Sequence, residues 1–242
     1  MTTYGKAAIV KSVLEAERNS KLHYNRFDED ARKAFDPALI SDTWFVKFMH
    51  MLGRGIPKES VRTVLNRVSF INFNYDRCLE HFIANAIQAV YSLQSHELPS
   101  IRTALKVIHP YGAIGDDVQF GSTHADYVAE AQHIKIYTEQ IEDATIVDQI
   151  REEVLRAECI GFLRFAYHSQ NMSILKPVSE MNEKHVYGTA YKMSDADVVV
   201  VQNQIAQFCK EPKNQMPYAK LENKLKSTGL FDHYARSLTG GD

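Results

Sequence analysis

Three short polar stretches carry the side chains best suited to chemistry. They are Asn74-Tyr75-Asp76-Arg77, His109-Pro110-Tyr111-Gly112 and Tyr167-His168-Ser169-Gln170-Asn171. Asn74 and Asp76 stand two apart, so one turn offers both an amide and a carboxylate. Such a pair can position a water and bind ribose hydroxyls or an amide group. It also has a structural reading, with Asp76 capping a helix and Asn74 taking a turn conformation. His109 precedes Pro-x-Gly and suits a general base near neutral pH, or a hydrogen-bonded structural residue. His168 with Asn171 carries the same two readings. His109, His124, His133 and His168 show no metal-ligand spacing, and Cys78, Cys159 and Cys209 form no Cys-x-x-Cys pair, so no metal site is expected. The Gly-x-Ser-x-Gly nucleophile elbow is absent, and Gly112-Ala113-Ile114-Gly115 lacks the glycine pattern of a phosphate loop.

The elements that must position these groups follow from periodicity. Val68-Ser69-Phe70-Ile71-Asn72-Phe73 is short, β-branched and aromatic, and predicts a strand. Asp76 then opens a helix whose Leu79, Phe82, Ile83, Ala86, Ile87 and Val90 share a face. Leu105-Lys106-Val107-Ile108 predicts a second strand that ends at His109. Residues 146–156 predict a helix ahead of a third strand, Cys159-Ile160-Gly161-Phe162-Leu163, and Val186-Tyr187-Gly188-Thr189-Ala190 predicts a fourth. Ser194-Asp195-Ala196-Asp197 resembles a capping box that opens a helix through Val198, Val201, Ile205 and Phe208. Upstream, residues 5–18 and the Trp44 to Leu52 stretch have helical spacing, and Pro57 suits a first helical turn. Strands alternating with helices imply an α/β fold with a parallel sheet, and ligands of such sheets bind at the carboxyl ends of the strands. All three polar stretches fall at predicted strand ends. Residues 218–226 read as amphipathic, within a helical tail.

Bulk properties set the limits. A chain of 242 residues with 45% hydrophobic and 24% charged residues is an ordinary globular composition. A net charge of −2 with no basic block argues against nucleic acid and against a membrane patch. No apolar run has the length of a signal peptide or a membrane span, so a cytoplasmic protein is expected.

Four segments together resemble a known family. Phe73 to His81 is similar to the pattern Phe-Asn-Tyr-Asp-Arg-x-Leu-Glu-His of bacterial sirtuin-like proteins. His109-Pro110-Tyr111-Gly112, Phe162 to His168 followed by Gln170-Asn171, and Gly188-Thr189-Ala190-Tyr191-Lys192-Met193-Ser194 match later segments in the same order. The resemblance implies a Rossmann-like parallel sheet flanked by helices, over residues 1–210 with a helical part at 1–66, followed by a helical tail at 211–242. It implies NAD as substrate or ligand. With no four-cysteine zinc ribbon, it implies NAD glycohydrolase rather than deacylase chemistry, of the kind found in antiphage defence. In that reading Asn74 and Asp76 position water and ribose, and His109 is the base or a ribose contact. Tyr75, Arg77, Gly112, His168, Asn171, Gly188, Thr189 and Ser194 surround the nucleotide.

The chain departs from the family at three places. It has no Gly-Ala-Gly-x-Ser phosphate loop, so the fold is expected to be incomplete at its N-terminus. Arg164 and Lys192 stand where the pattern has glycine. These departures keep open a second reading, an inactive or truncated sirtuin-like binding or assembly module. Its partner would be a second copy of the chain or the missing N-terminal segment in trans.

Overall fold

Phe70 and Ile71 are suited to a pleated, half-buried surface, and Ser69–Ile71 forms the first strand, β1. The computed structural model describes residues 3–25, 34–136, 139, 144–178, 184–206 and 219–238. In chain order its elements are α1 (Thr3–Asn19), α2 (Trp44–Gly53), α3 (Val61–Leu65), β1, α4 (Cys78–Tyr91), α5 (Leu98–Ala104), β2 (Lys106–Ile108) and α6 (Tyr127–Glu130). They continue with α7 (Ala144–Arg156), β3 (Cys159–Phe162), α8 (Ser169–Leu175), β4 (His185–Thr189), α9 (Asp195–Ala206), β5 (Ala219–Glu222) and α10 (Ser227–Leu238). Cys209 and Phe208 lie outside the described residues. The protein is mixed α/β, with short parallel sheets flanked by helices, an arrangement compatible with a Rossmann-like fold. Among the described residues, no helix is long and apolar enough to cross a membrane.

The chain divides into two compact units. The first holds residues 1–41 and 52–142. Its sheet is β1 paired in parallel with β2, Ser69 opposite Lys106 and Ile71 opposite Ile108. The pairing runs one bond further, where Asn72 N donates to Ile108 O at 2.9 Å. Helix α4 buries Leu79, Phe82, Ile83, Ala86 and Ile87, as its spacing predicts, whereas Val90 in its last turn is exposed. A second cluster joins Val10 and Leu14 of α1 to Ile114 and Ile134, with Tyr75 packed against it.

The second unit holds residues 42–51 and 143–242. Its sheet has the order β3-β4-β5, all parallel. The four strands expected in one sheet are therefore found in two, and a fifth strand joins the second. Ala219–Glu222, expected within a helical tail, is that strand: Ala219 and Leu221 are buried and Lys220 is exposed, a period of two rather than 3.6. Trp44 and Phe48 of α2 pack on Phe231 of α10, with the Trp44 and Phe231 rings stacked at 6.1 Å. A lysine is buried here too. Lys184 donates its ammonium to Leu155 O at 2.7 Å and to Ala157 O, capping the carbonyl end of α7.

Candidate functional site

In the first unit the carboxyl ends of β1 and β2 lie side by side, which brings Asn74, Asp76 and His109 together. The loop after β1 is tied by its own side chains. Asn72 Oδ1 accepts the Asn74 N–H at 3.1 Å, and Asn72 Nδ2 donates to Asp76 O at 3.3 Å. Asp76 Oδ1 accepts the Cys78 N–H at 3.1 Å, an Asx turn just ahead of α4, whose N-cap position is taken by Arg77 and not by Asp76 as expected. Burial, reinforced by the Asp76 carboxylate, pushes the Cys78 thiol far above its ordinary pKa, so it is no nucleophile at neutral pH.

His109 is clamped between two acceptors. Nδ1 is 2.9 Å from Asn74 O and Nε2 is 2.6 Å from Glu80 Oε1. A ring that faces an acceptor at each nitrogen is best satisfied when both carry protons. Burial disfavours the imidazolium, but the Glu80 bond and charge, the Asn74 carbonyl and the Asp76 charge outweigh it, and the pKa is raised. Glu80 Oε2 is buried and has no hydrogen-bond partner among the described residues. The Asn74 side-chain amide is exposed and makes no hydrogen bond among them either.

His81, next to Glu80, takes no part. Burial, with help from Arg102, Arg77 and His23, lowers its pKa to about 4, and its neutral ring stacks on Phe120 at 3.9 Å.

Several residues expected at the nucleotide are engaged by the fold. Arg77 is the clearest case. Its Nε donates to Glu17 Oε1 at 3.1 Å and Nη2 to Glu17 Oε2 at 2.8 Å. Nη1 donates to Gly115 O and Val118 O, and Nη2 also reaches Gln119 O. All five guanidinium N–H groups are thus taken, which leaves none for a phosphate. Tyr75 donates its hydroxyl to Lys135 O at 2.6 Å. Gly112 has a φ of 79° and faces the His133 backbone, whose oxygen would stand 1.9 Å from an added Cβ.

In the second unit, His168 precedes α8 and is exposed, while Asn171 is buried inside that helix rather than in the loop its neighbours predict. Gly188 admits the Tyr167 hydroxyl 2.5 Å from where a Cβ would lie. Thr189 Oγ1 accepts the Arg164 N–H at 3.0 Å. Ser194 Oγ accepts the Asp197 N–H at 3.1 Å and donates to Asp197 Oδ2 at 2.7 Å, the cap its sequence predicts for α9.

Glu80, Asn72 and Glu17 were not among the residues singled out from sequence. Glu80 lies in the first turn of α4, which opens directly after the β1 loop, so its position in the chain already keeps it near the strand ends. Glu17 continues the Val10 and Leu14 stripe of α1, and a carboxylate on a core stripe calls for a buried cation.

The chain matches no protein-family model, no curated protein and no solved structure.

Proposed function

We propose that the chain is a sirtuin-like NAD-binding protein, and that the first unit carries the ribosyl end of an NAD+ glycohydrolase site. The observation that carries this reading is the meeting of His109 with Asn74 at adjacent strand ends, 2.9 Å apart and 35 residues apart in sequence. A second observation supports the family resemblance. Arg164 and Lys192, which replace the pattern's glycines, both take left-handed backbone, at φ of 53° and 66°. The backbone there keeps a conformation that favours glycine although the side chain has changed.

In the reaction, water replaces nicotinamide at the anomeric carbon: the N-glycosidic bond breaks, a C–O bond forms and the water's second proton leaves to solvent. The Asn74 amide orients the water. Asp76 stabilises the positive charge that develops on the ribose. His109, held by Glu80, binds a ribose hydroxyl once that hydroxyl displaces the Asn74 carbonyl from Nδ1.

A second reading has its own support. Both His109 nitrogens and every Arg77 donor are already engaged, as in a non-catalytic binding module. The test is incubation of the purified chain with NAD+, with nicotinamide and ADP-ribose separated by chromatography. Turnover that falls by about 100-fold or more in Asn74→Ala and His109→Ala is expected. No turnover, or turnover that both variants retain, would sink the hydrolase reading and favour the binding module.

A further inference from the structure

An imidazole that faces two acceptors satisfies both only as the imidazolium. Once His109 loses a proton, one of its two bonds must go, and the surroundings decide which. Nε2 faces the Glu80 carboxylate at 2.6 Å, from the first turn of α4. Nδ1 faces the Asn74 carbonyl at 2.9 Å, from the loop after β1. A hydrogen bond to a carboxylate is roughly twice as strong as one between neutral groups. Glu80 also has no second donor. Its Oε2 is buried without a hydrogen-bond partner among the described residues, so loss of the Nε2 proton would strand both carboxylate oxygens. The charged groups that act on the ring are Glu80 from α4 and Asp76 from the β1 loop. Asp76 favours the imidazolium through its charge, but among the described residues it bonds to neither nitrogen, so it does not choose between them.

The proton that leaves is therefore the one on Nδ1. The neutral ring keeps its Nε2–H on Glu80 and turns an Nδ1 lone pair toward the Asn74 carbonyl oxygen. Two acceptors at 2.9 Å repel each other, so the contact that ties the ring to the β1 loop becomes unfavourable just when Nδ1 becomes able to accept. A hydroxyl that donates to Nδ1 would relieve it.

We propose that Glu80 is a positioning residue of the first unit: it holds neutral His109 as the Nε2–H tautomer, so that deprotonation frees Nδ1 from Asn74 and makes it the acceptor for a ligand hydroxyl. The consequence for rate rests on the hydrolase reading; the tautomer and the release do not. The direction with pH follows. The imidazolium clamps the loop and offers no lone pair, whereas the neutral ring is released and can accept. The carboxylates hold this titration above the ordinary value of 6.5.

The test is NMR of the intact chain carrying isotope-labelled histidine, followed across the titration, with His109→Asn to assign the ring signals. Proton–nitrogen correlations within the ring distinguish the tautomers. Above the titration the parent ring should carry its proton on Nε2 by about tenfold over Nδ1, the difference between a charge-assisted and a neutral hydrogen bond. In Glu80→Ala the Asn74 carbonyl is the remaining acceptor, and the proton should move to Nδ1. Glu80→Gln, whose amide oxygen still accepts, should show both forms, and it decides the matter where Glu80→Ala does not fold. A merely structural Glu80 would change stability and leave the tautomer alone. NAD+ hydrolysis supplies a second arm. The parent rate should rise with pH through the His109 titration, and Glu80→Ala should lose about tenfold or more at the plateau. A neutral parent ring protonated on Nδ1 overturns the proposal, as do variants that keep the parent's tautomer ratio or a rate that falls as His109 loses its proton. Absence of any turnover sinks the hydrolase reading alone, because the tautomer is read without substrate.

Discussion

Replacing Arg77 with alanine separates a ligand contact from a structural one. Glu17 is completely buried, and its two carboxylate oxygens accept from Arg77 N, Nε and Nη2 and from Gly121 N. Without the guanidinium that carboxylate remains in the interior with backbone donors alone, and the Val118 carbonyl loses the Arg77 donor, while Gly115 O and Gln119 O keep the N–H groups of Val118 and Ser122. Breaking a buried pair from one side costs about 3–5 kcal/mol. For a chain of this size that lowers the melting temperature by roughly 6–20 °C. Lysine should not rescue, because three donors on one nitrogen cannot reproduce a five-donor fork. The Glu17→Leu/Arg77→Leu pair should recover much of the loss, since both charges leave the interior together. Far-UV circular dichroism in urea, with hydrogen exchange at the Gly121 amide, gives the measurement. Fluorescence of Trp44 is the wrong probe, because that ring stacks on Phe231 in the second unit. A loss below about 1 kcal/mol in Arg77→Ala would refute the reasoning and restore Arg77 as a candidate ligand contact.

Two further outcomes test the same unit. His109 titrates above its ordinary value of 6.5, so protonation of His109 stabilises the fold. That contribution is fully present below about pH 6.5 and fades as pH rises through the higher folded-state value. Urea unfolding across this range should show the decline, and proton NMR of Glu80→Gln should show His109 titrating lower; an unchanged titration would mean that Glu80 does not hold the ring. Gly112→Ala must place a Cβ against the His133 carbonyl in a left-handed backbone, and should cost about 2–5 kcal/mol by thermal unfolding. Gly161→Ala, where an added Cβ meets nothing within 4 Å, should change stability by less than about 0.5 kcal/mol.

What the sequence made legible was local. Strand β1 showed in Phe70 and Ile71, helix α4 in the spacing of Leu79, Phe82, Ile83, Ala86 and Ile87, the turn ahead of α4 in Asp76 and the start of α9 in Ser194. In each case the deciding contact lies within a few residues: Cys78 N to Asp76 Oδ1, and Asp197 N to Ser194 Oγ. Partner choice at long range was not legible. Nothing near Glu17 announces Arg77, 60 residues on, and nothing in β5 announces β4. Helix α8 was hidden for another reason. Its first residues, Ser169-Gln170-Asn171, are polar, although Asn171 is buried together with Met172, Ile174 and Leu175.

The distinction between engaged and unengaged polar groups sorts the candidate residues better than their motif does. Tyr75, Arg77, Thr189 and Ser194 share sequence segments with the residues assigned to chemistry, yet their polar atoms hold neighbouring loops and helix ends in place. Ser194 was predicted by its spacing to be a cap, and that prediction is sufficient to explain it. What the fold leaves over is smaller and sits at strand ends. In the first unit it is the Asn74 amide and a buried oxygen of Glu80 beside His109. In the second, Arg164 forms no ion pair among the described residues, while Lys192 and Lys226 both lie over the Tyr191 ring. Groups the fold does not use, kept at some cost in desolvation or strain, are where a ligand would supply the missing interaction.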